Sequence, residues 1–142
     1  MNKIIIVEDH FYFREGIKLL IENENLGDVI GEAENGFSFL NLLKTQIPDL
    51  VILDVEIPVM GGLETIRKCL KIRHNLKILA LTRQSGKSNY LELIRAGVMG
   101  IILKTSGKNE FEKAIKAIAN DDNYFSQEII PLLVANTKVH SF

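Results

Sequence analysis

The sequence is poor in the features that staple or anchor a chain. Its 142 residues hold one cysteine, Cys69, so no intramolecular disulfide can form, and three histidines beside it offer no zinc-ligand spacing. A chain of this length buries roughly 68–70% of the surface its unfolded form exposes, so hydrophobic burial alone is expected to hold it. Prolines number three, at 48, 58 and 131, and no repeat or low-complexity tract is present. No apolar run approaches the roughly 18 residues needed to cross a bilayer, and Ile4 to Val7, which ends in Glu8 and Asp9, is too short for a signal-peptide core. These absences argue against a disulfide scaffold, a zinc module and a membrane span. The expectation is one cytoplasmic domain with no membrane partner.

What is present is ordinary globular composition, 46% hydrophobic and 25% charged, with seventeen basic against eighteen acidic residues. The halves differ: residues 1–60 carry eleven acids and four bases, residues 61–142 seven acids and thirteen bases. Arg67, Lys68, Lys71, Lys113 and Lys116 fall on segments read as helices, where solvated basic faces are common, so the asymmetry is read as surface and not as a nucleic-acid face.

A strand followed by a helix recurs along the chain. Short β-branched or leucine runs occur at Lys3–Val7, Val29–Ala33, Leu50–Leu53, Lys77–Leu81 and Gly100–Leu103, each nearly continuously apolar, as buried parallel strands are. Between them lie helical spacings: Phe13, Ile17, Leu20 and Ile21; Leu40, Leu43 and Ile47; Leu63, Ile66 and Leu70; Leu91 and Ile94 within Ser88 to Ala96; and Phe111, Ala114, Ile115 and Ile118. Five such units predict an α/β fold, a flavodoxin-like, doubly wound, five-stranded parallel sheet with helices on both faces. In that architecture ligands gather at the carboxyl ends of the strands.

Those ends carry Glu8 and Asp9 after the first strand, Asp54 at the third, Thr82 after the fourth and Lys104 after the fifth. Three converging carboxylates repel unless a cation joins them, and hard oxygen ligands suit Mg²⁺. A carboxylate also serves as a nucleophile toward phosphorus, forming an acyl phosphate. Asp54 is therefore the candidate acceptor, Lys104 and Thr82 the candidate partners of phosphoryl oxygens, and Glu8, Asp9 and Asp54 the candidate Mg²⁺ ligands. Taken singly, each has a plain structural reading as a cap, a dipole partner or a surface charge; their joint appearance at the strand ends favours the chemistry. His10 is set aside as a ligand because hard Mg²⁺ disfavours imidazole. Cys69 reads as a partly buried small apolar residue.

These residues resemble the receiver domain of bacterial two-component response regulators, over residues 3 to about 120. The match comprises the acidic pair Glu8 and Asp9, Asp54 followed by Ile57, Pro58, Val59, Met60, Gly61 and Gly62, then Thr82 and Lys104. The turn Ala33, Glu34, Asn35, Gly36 is similar to the family's second strand–helix junction, where glycine accepts a left-handed backbone. Glu8, Asp9, His10 with Arg14, Glu15, Gly16, then Lys104, Thr105, Ser106 and Tyr124, Phe125, Ser126 resemble receivers attached to LuxR-type helix-turn-helix domains. The resemblance implies a switch more than an enzyme: a sensor histidine kinase as phosphodonor, Asp54 as acceptor, Mg²⁺, a possible homodimer, and DNA reached only through an output domain beyond this chain. It also places Glu56 where the family supplies a backbone carbonyl to the metal, so Glu56 joins the candidate metal residues, and Glu56 and Gln84 are expected to affect metal affinity or phosphoryl lifetime.

Two positions depart from the family. Ile101 stands where an aromatic is usual, and Arg83 where a small residue is usual. The expectation is that the phosphoryl chemistry is retained while another element carries the conformational shift. The rival readings are a stand-alone or degenerate receiver acting as a protein-binding module, and a haloacid-dehalogenase-like phosphohydrolase, which would normally place a second aspartate at position 56. The chain is divided into a receiver over 1–120 and a linker or extension over 121–142, where Ser126 could cap a short helix bearing Ile129, Leu132 and Leu133 if Pro131 opens it.

Overall fold

The computed structural model describes residues 2–83 and 90–134. Strands β1 (Lys3–Val7), β2 (Asp28–Ala33), β3 (Leu50–Asp54), β4 (Lys77–Thr82), β5 (Gly100–Leu103) and β6 (Tyr124–Phe125) alternate with helices α1 (Phe11–Asn23), α2 (Gly36–Leu42), α3 (Gly62–Ile72), α4 (Tyr90–Ala96) and α5 (Lys108–Ala119). The strands form one parallel sheet in the order β2-β1-β3-β4-β5-β6.

Side-chain alternation along these strands builds two cores. Ile5, Val7, Val51, Leu53, Ile78, Ala80, Ile101 and Leu103 face Phe39 of α2, Ile66 and Cys69 of α3 and Leu93 of α4. Ile4, Ile6, Leu50, Ile52, Leu79, Leu81 and Ile102 face Ile17 and Ile21 of α1 and Phe111, Ala114, Ile115 and Ile118 of α5. A strand buried on both faces needs apolar residues at every position, which is why β1, β3 and β5 show no polar alternation. Each fully buried Ile or Leu contributes about 1.5–3 kcal/mol.

Three features differ from the sequence reading. The sheet has six strands, not five: Tyr124 and Phe125 pair in parallel with Gly100 and Ile101, a two-residue edge too short for periodicity to reveal. The second helix ends at Leu42, with Leu43 at its C-cap, and Ile47 lies beyond it with 64% of its surface exposed. Gly36 does not adopt a positive φ; it opens α2, and a Cβ there would lie 2.3 Å from Thr65 Oγ1, so close packing of α2 on α3 requires the glycine. Ser88, the expected start of the fourth helix, and Gln84 lie outside the described residues. The helix is described from Tyr90.

The chain beyond α5 folds against the sheet. Ile129 is buried in the α2–α3–α4 core, and Leu133 packs against that core. The backbone is helical over residues 130–134. Pro131 falls in this first helical turn, where a missing N–H costs no intrahelical bond. The Ser126 hydroxyl does not cap the turn; it bonds to Leu103 and Glu110 instead. Among the described residues, no helix is long and apolar enough to cross a membrane.

Candidate functional site

The parallel sheet brings its carboxyl-terminal edges together by register. Val7 of β1 lies beside Leu53, Asp54 beside Leu81, and Thr82 beside Leu103. The residues that follow these strands therefore meet at one rim. Glu8, Asp9 and Asp54 each offer a carboxylate oxygen, and these atoms lie within 4.8 Å of one another. Opposite ligands of an octahedral ion with 2.1 Å bonds are about 4.2 Å apart, so small adjustments of three hard oxygen donors would accommodate Mg²⁺. Glu8 and Asp54 are fully buried, whereas Asp9 is exposed and forms the solvent side of the cluster.

Lys104 binds the two buried acids. Its Nζ lies 2.7 Å from Glu8 Oε1 and 3.0 Å from Asp54 Oδ2. Desolvation holds the Glu8 carboxyl above the usual range, although hydrogen bonds from Lys104 and the His10 amide oppose it. Burial pushes Lys104 down, but its hydrogen bonds to Glu8 and Asp54 outweigh that cost and hold the ammonium above the ordinary lysine range. The lysine is thus a fixed cation shared by two buried carboxylates, and its charge offsets their mutual repulsion. The second oxygen of Asp54 accepts from the Glu56 amide at 2.9 Å.

The loop that delivers this amide is built by two glycines. Gly61 adopts φ +81°, a conformation that a Cβ would strain, and a Cβ on Gly62 would collide with the Val55 backbone at 2.3 Å. The loop therefore folds back on β3, and the Gly62 amide donates to the Val55 carbonyl at 3.0 Å.

Thr82 is fully buried at the end of β4, and its hydroxyl donates to the Arg83 carbonyl at 3.3 Å. Its own carbonyl accepts from the Lys104 amide at 2.8 Å, which ties the hydroxyl and ammonium residues into one rim. The Glu56 carboxylate stands apart from the acidic cluster: it takes the Arg83 amide at 3.2 Å and lies 3.3 Å from Arg83 Nε. Glu56 meets the acceptor through its backbone and meets Arg83 through its side chain.

Two residues of the site escaped the sequence reading. Arg14, buried on α1, donates from Nη1 to the Glu8 carbonyl at 2.6 Å and from Nε to Glu32 at 3.1 Å, which fixes the acidic loop. Phe13 lies under Lys104, with Nζ 4.7 Å from the ring centroid. The signal for Arg14 was its place on the buried stripe Arg14, Ile17, Ile21, since an arginine among core positions requires partners. Phe13 gave none, because an aromatic on an apolar helix face reads as core.

Comparison with known proteins identifies the family of the chain. Residues 4–116 match the response regulator receiver domain, and the chain belongs to that family. It is 40% identical over 119 residues to the transcriptional regulatory protein YdfI of Bacillus subtilis, covering 83% of this chain and 55% of that protein. It is 34% identical over 124 residues to BvgA of Bordetella pertussis, a virulence factors putative positive transcription regulator, covering 87% and 59%. Among solved structures, a LuxR-family two-component response regulator from Aurantimonas sp. SI85-9A1 superposes with a TM-score of 0.88 at 30% identity, covering 98% of this chain and 99% of that one. The chain spans little more than half the length of the curated relatives.

Proposed function

We propose that this chain is a phosphorylation-dependent switch in which Asp54 accepts a phosphoryl group from a sensor histidine kinase and the resulting state is relayed to a transcriptional output. The observation that carries this reading is the Glu8–Asp9–Asp54 cluster bound by Lys104 at the strand ends. A carboxylate oxygen of Asp54 attacks phosphorus and forms the acyl phosphate bond. The P–N bond of the donor phosphohistidine breaks, and its electron pair and a proton from solvent leave with the imidazole.

Glu8, Asp9, Asp54 and the Glu56 carbonyl would hold Mg²⁺, which when bound would supply positive charge for the phosphoryl oxygens. Lys104 has to leave at least one carboxylate before the acceptor is reached, because Asp54 has no exposed surface while the pair is intact. It then turns to a phosphoryl oxygen, as Thr82 does through its hydroxyl. The Arg83–Glu56 ion pair lies beside the acceptor and is read as a brake on water attack, with Glu56 affecting phosphoryl lifetime through its side chain. Self-dephosphorylation and transcriptional output through a LuxR-type helix-turn-helix domain belong to the same reading, as do cytoplasmic location and a phosphorylation-favoured homodimer. The folded receiver is read as extending past residue 120 to include β6.

Intact-mass measurement after incubation with acetyl phosphate and Mg²⁺ tests the proposal. The expected result is one added phosphoryl group, lost in Asp54→Asn and in chelator. Turnover of phosphoesters without an adduct would favour a phosphohydrolase. No adduct and no turnover would leave a degenerate, protein-binding receiver.

A further inference from the structure

We propose that Ser126 is a positioning residue for Lys104, and that through it the segment after α5 is coupled to the acceptor pocket. This rests on the reading of Asp54 and Lys104 given above. Ser126 has no exposed surface. Its amide donates to the Ile101 carbonyl at 3.0 Å, and its hydroxyl oxygen accepts from the Leu103 amide at 3.3 Å while the hydroxyl donates to Glu110 of α5. Its carbonyl accepts from the amides of Ile129 at 3.0 Å and Ile130 at 3.3 Å. One buried serine thus joins the end of β5, the first turn of α5 and the start of the C-terminal helical turn.

The peptide leading into Lys104 is held at both its neighbours. Ser126 holds the Leu103 amide, and the Thr82 carbonyl holds the Lys104 amide at 2.8 Å. These two bonds set the direction from which the lysine side chain enters the acidic cluster. Ile101, fully buried in the same core as Ile129, has no polar tip to exchange between interior and surface. The hydrogen-bonded edge from β5 through Ser126 is therefore a polar connection between the pocket and residues 127–134, beside the apolar packing of Ile129 and Leu133. Glu8, Asp9 and Asp54 lie on or after β1 and β3, and Ser126 reaches them through Lys104, whose ammonium binds Glu8 and Asp54.

Linkage makes this coupling reciprocal: if the serine favours the placement of Lys104 that binds a phosphoryl mimic, the mimic must stabilise the serine's bonds by the same factor. The test uses the full 142-residue chain, with Mg²⁺ alone and then beryllium trifluoride at saturating Mg²⁺ as probes. Ser126→Ala and Glu110→Ala are expected to weaken beryllium trifluoride binding by about fivefold or more, the low end of measured site couplings, with no loss of Mg²⁺ affinity. Glu110→Gln, which keeps an acceptor oxygen for the hydroxyl, retains wild-type affinity. In the wild type the adduct slows hydrogen exchange at the Leu103 and Ser126 amides by a similar factor. Wild-type affinity in Ser126→Ala and Glu110→Ala would overturn the proposal, as would a parallel loss of Mg²⁺ affinity, the mark of general loosening. If the wild type binds Mg²⁺ but takes up no beryllium trifluoride, the acceptor reading itself fails and this inference goes with it.

Discussion

Lys104 shows how a single side chain both stabilises the domain and restrains its chemistry. With Glu8 and Asp54 fully buried, its removal leaves two carboxylates facing each other without a cation. Breaking a buried pair of this kind costs about 3–5 kcal/mol. Lys104→Met is expected to lower the unfolding free energy obtained from urea titration in chelator by an amount in that range and to recover much of it in Mg²⁺; an unchanged free energy in chelator would show that the pair contributes nothing. Cys69 is the opposite case, a side chain with no role at the rim. It is fully buried, and desolvation pushes its thiol up to about 12. Native protein at pH 8 should resist iodoacetamide, with labelling appearing only at the rate of global unfolding. An unfolded thiol ionises near pH 9 while the folded one stays protonated, so this group withdraws stability as the pH rises from about 9 toward about 12. Thermal scans of Cys69→Ala and wild type should accordingly converge as pH rises through that window.

At the scale of elements, the loop between β3 and α3 carries the clearest strain. Val59 holds φ +72° with 84% of its surface exposed, a left-handed conformation that β-branched residues resist. Asparagine tolerates this region, so Val59→Asn is expected to gain about 1 kcal/mol, read as a higher melting temperature with m-value unchanged; a loss of stability would contradict the assignment of strain. The same loop separates what the sequence disclosed from what it did not. Pro58, Gly61 and Gly62 entered the sequence reading only as part of the receiver resemblance that follows Asp54. The positive φ of Val59 did not follow, since no local pattern places a β-branched residue in the left-handed region. Likewise β1, β3 and β5 were legible because burial on both faces demands unbroken apolar runs, while β6 was hidden because two residues carry no period. Asp54 and Lys104 were legible as strand-end polar residues, but the commitment of the Glu56 carboxylate to Arg83 depends on two loops meeting, which no local pattern records.

For the whole molecule, folding stability and ligand occupancy are linked through the three acids. A ligand that binds only the folded form adds RT ln(1 + [L]/Kd), about 2.7 kcal/mol at a hundredfold excess over Kd. Mg²⁺ should therefore raise the melting temperature of the wild type with a saturable dependence, and Asp54→Asn should shift that curve to higher Mg²⁺; a response identical in both proteins would place the ion elsewhere. The parallel sheet makes this linkage global, because the acids sit at the ends of β1 and β3, interior strands flanked on both faces by the two cores.

The central claim is that folding makes Asp54 the nucleophile of a cation-assisted pocket. The most direct measurement is to phosphorylate the chain in Mg²⁺, reduce the acyl phosphate with borohydride, and locate the product by peptide mass spectrometry. The expected product is homoserine at position 54 and at no other acidic residue. An unreduced Asp54 in a protein that has taken up phosphate, with the group on His10 or another side chain, would contradict it.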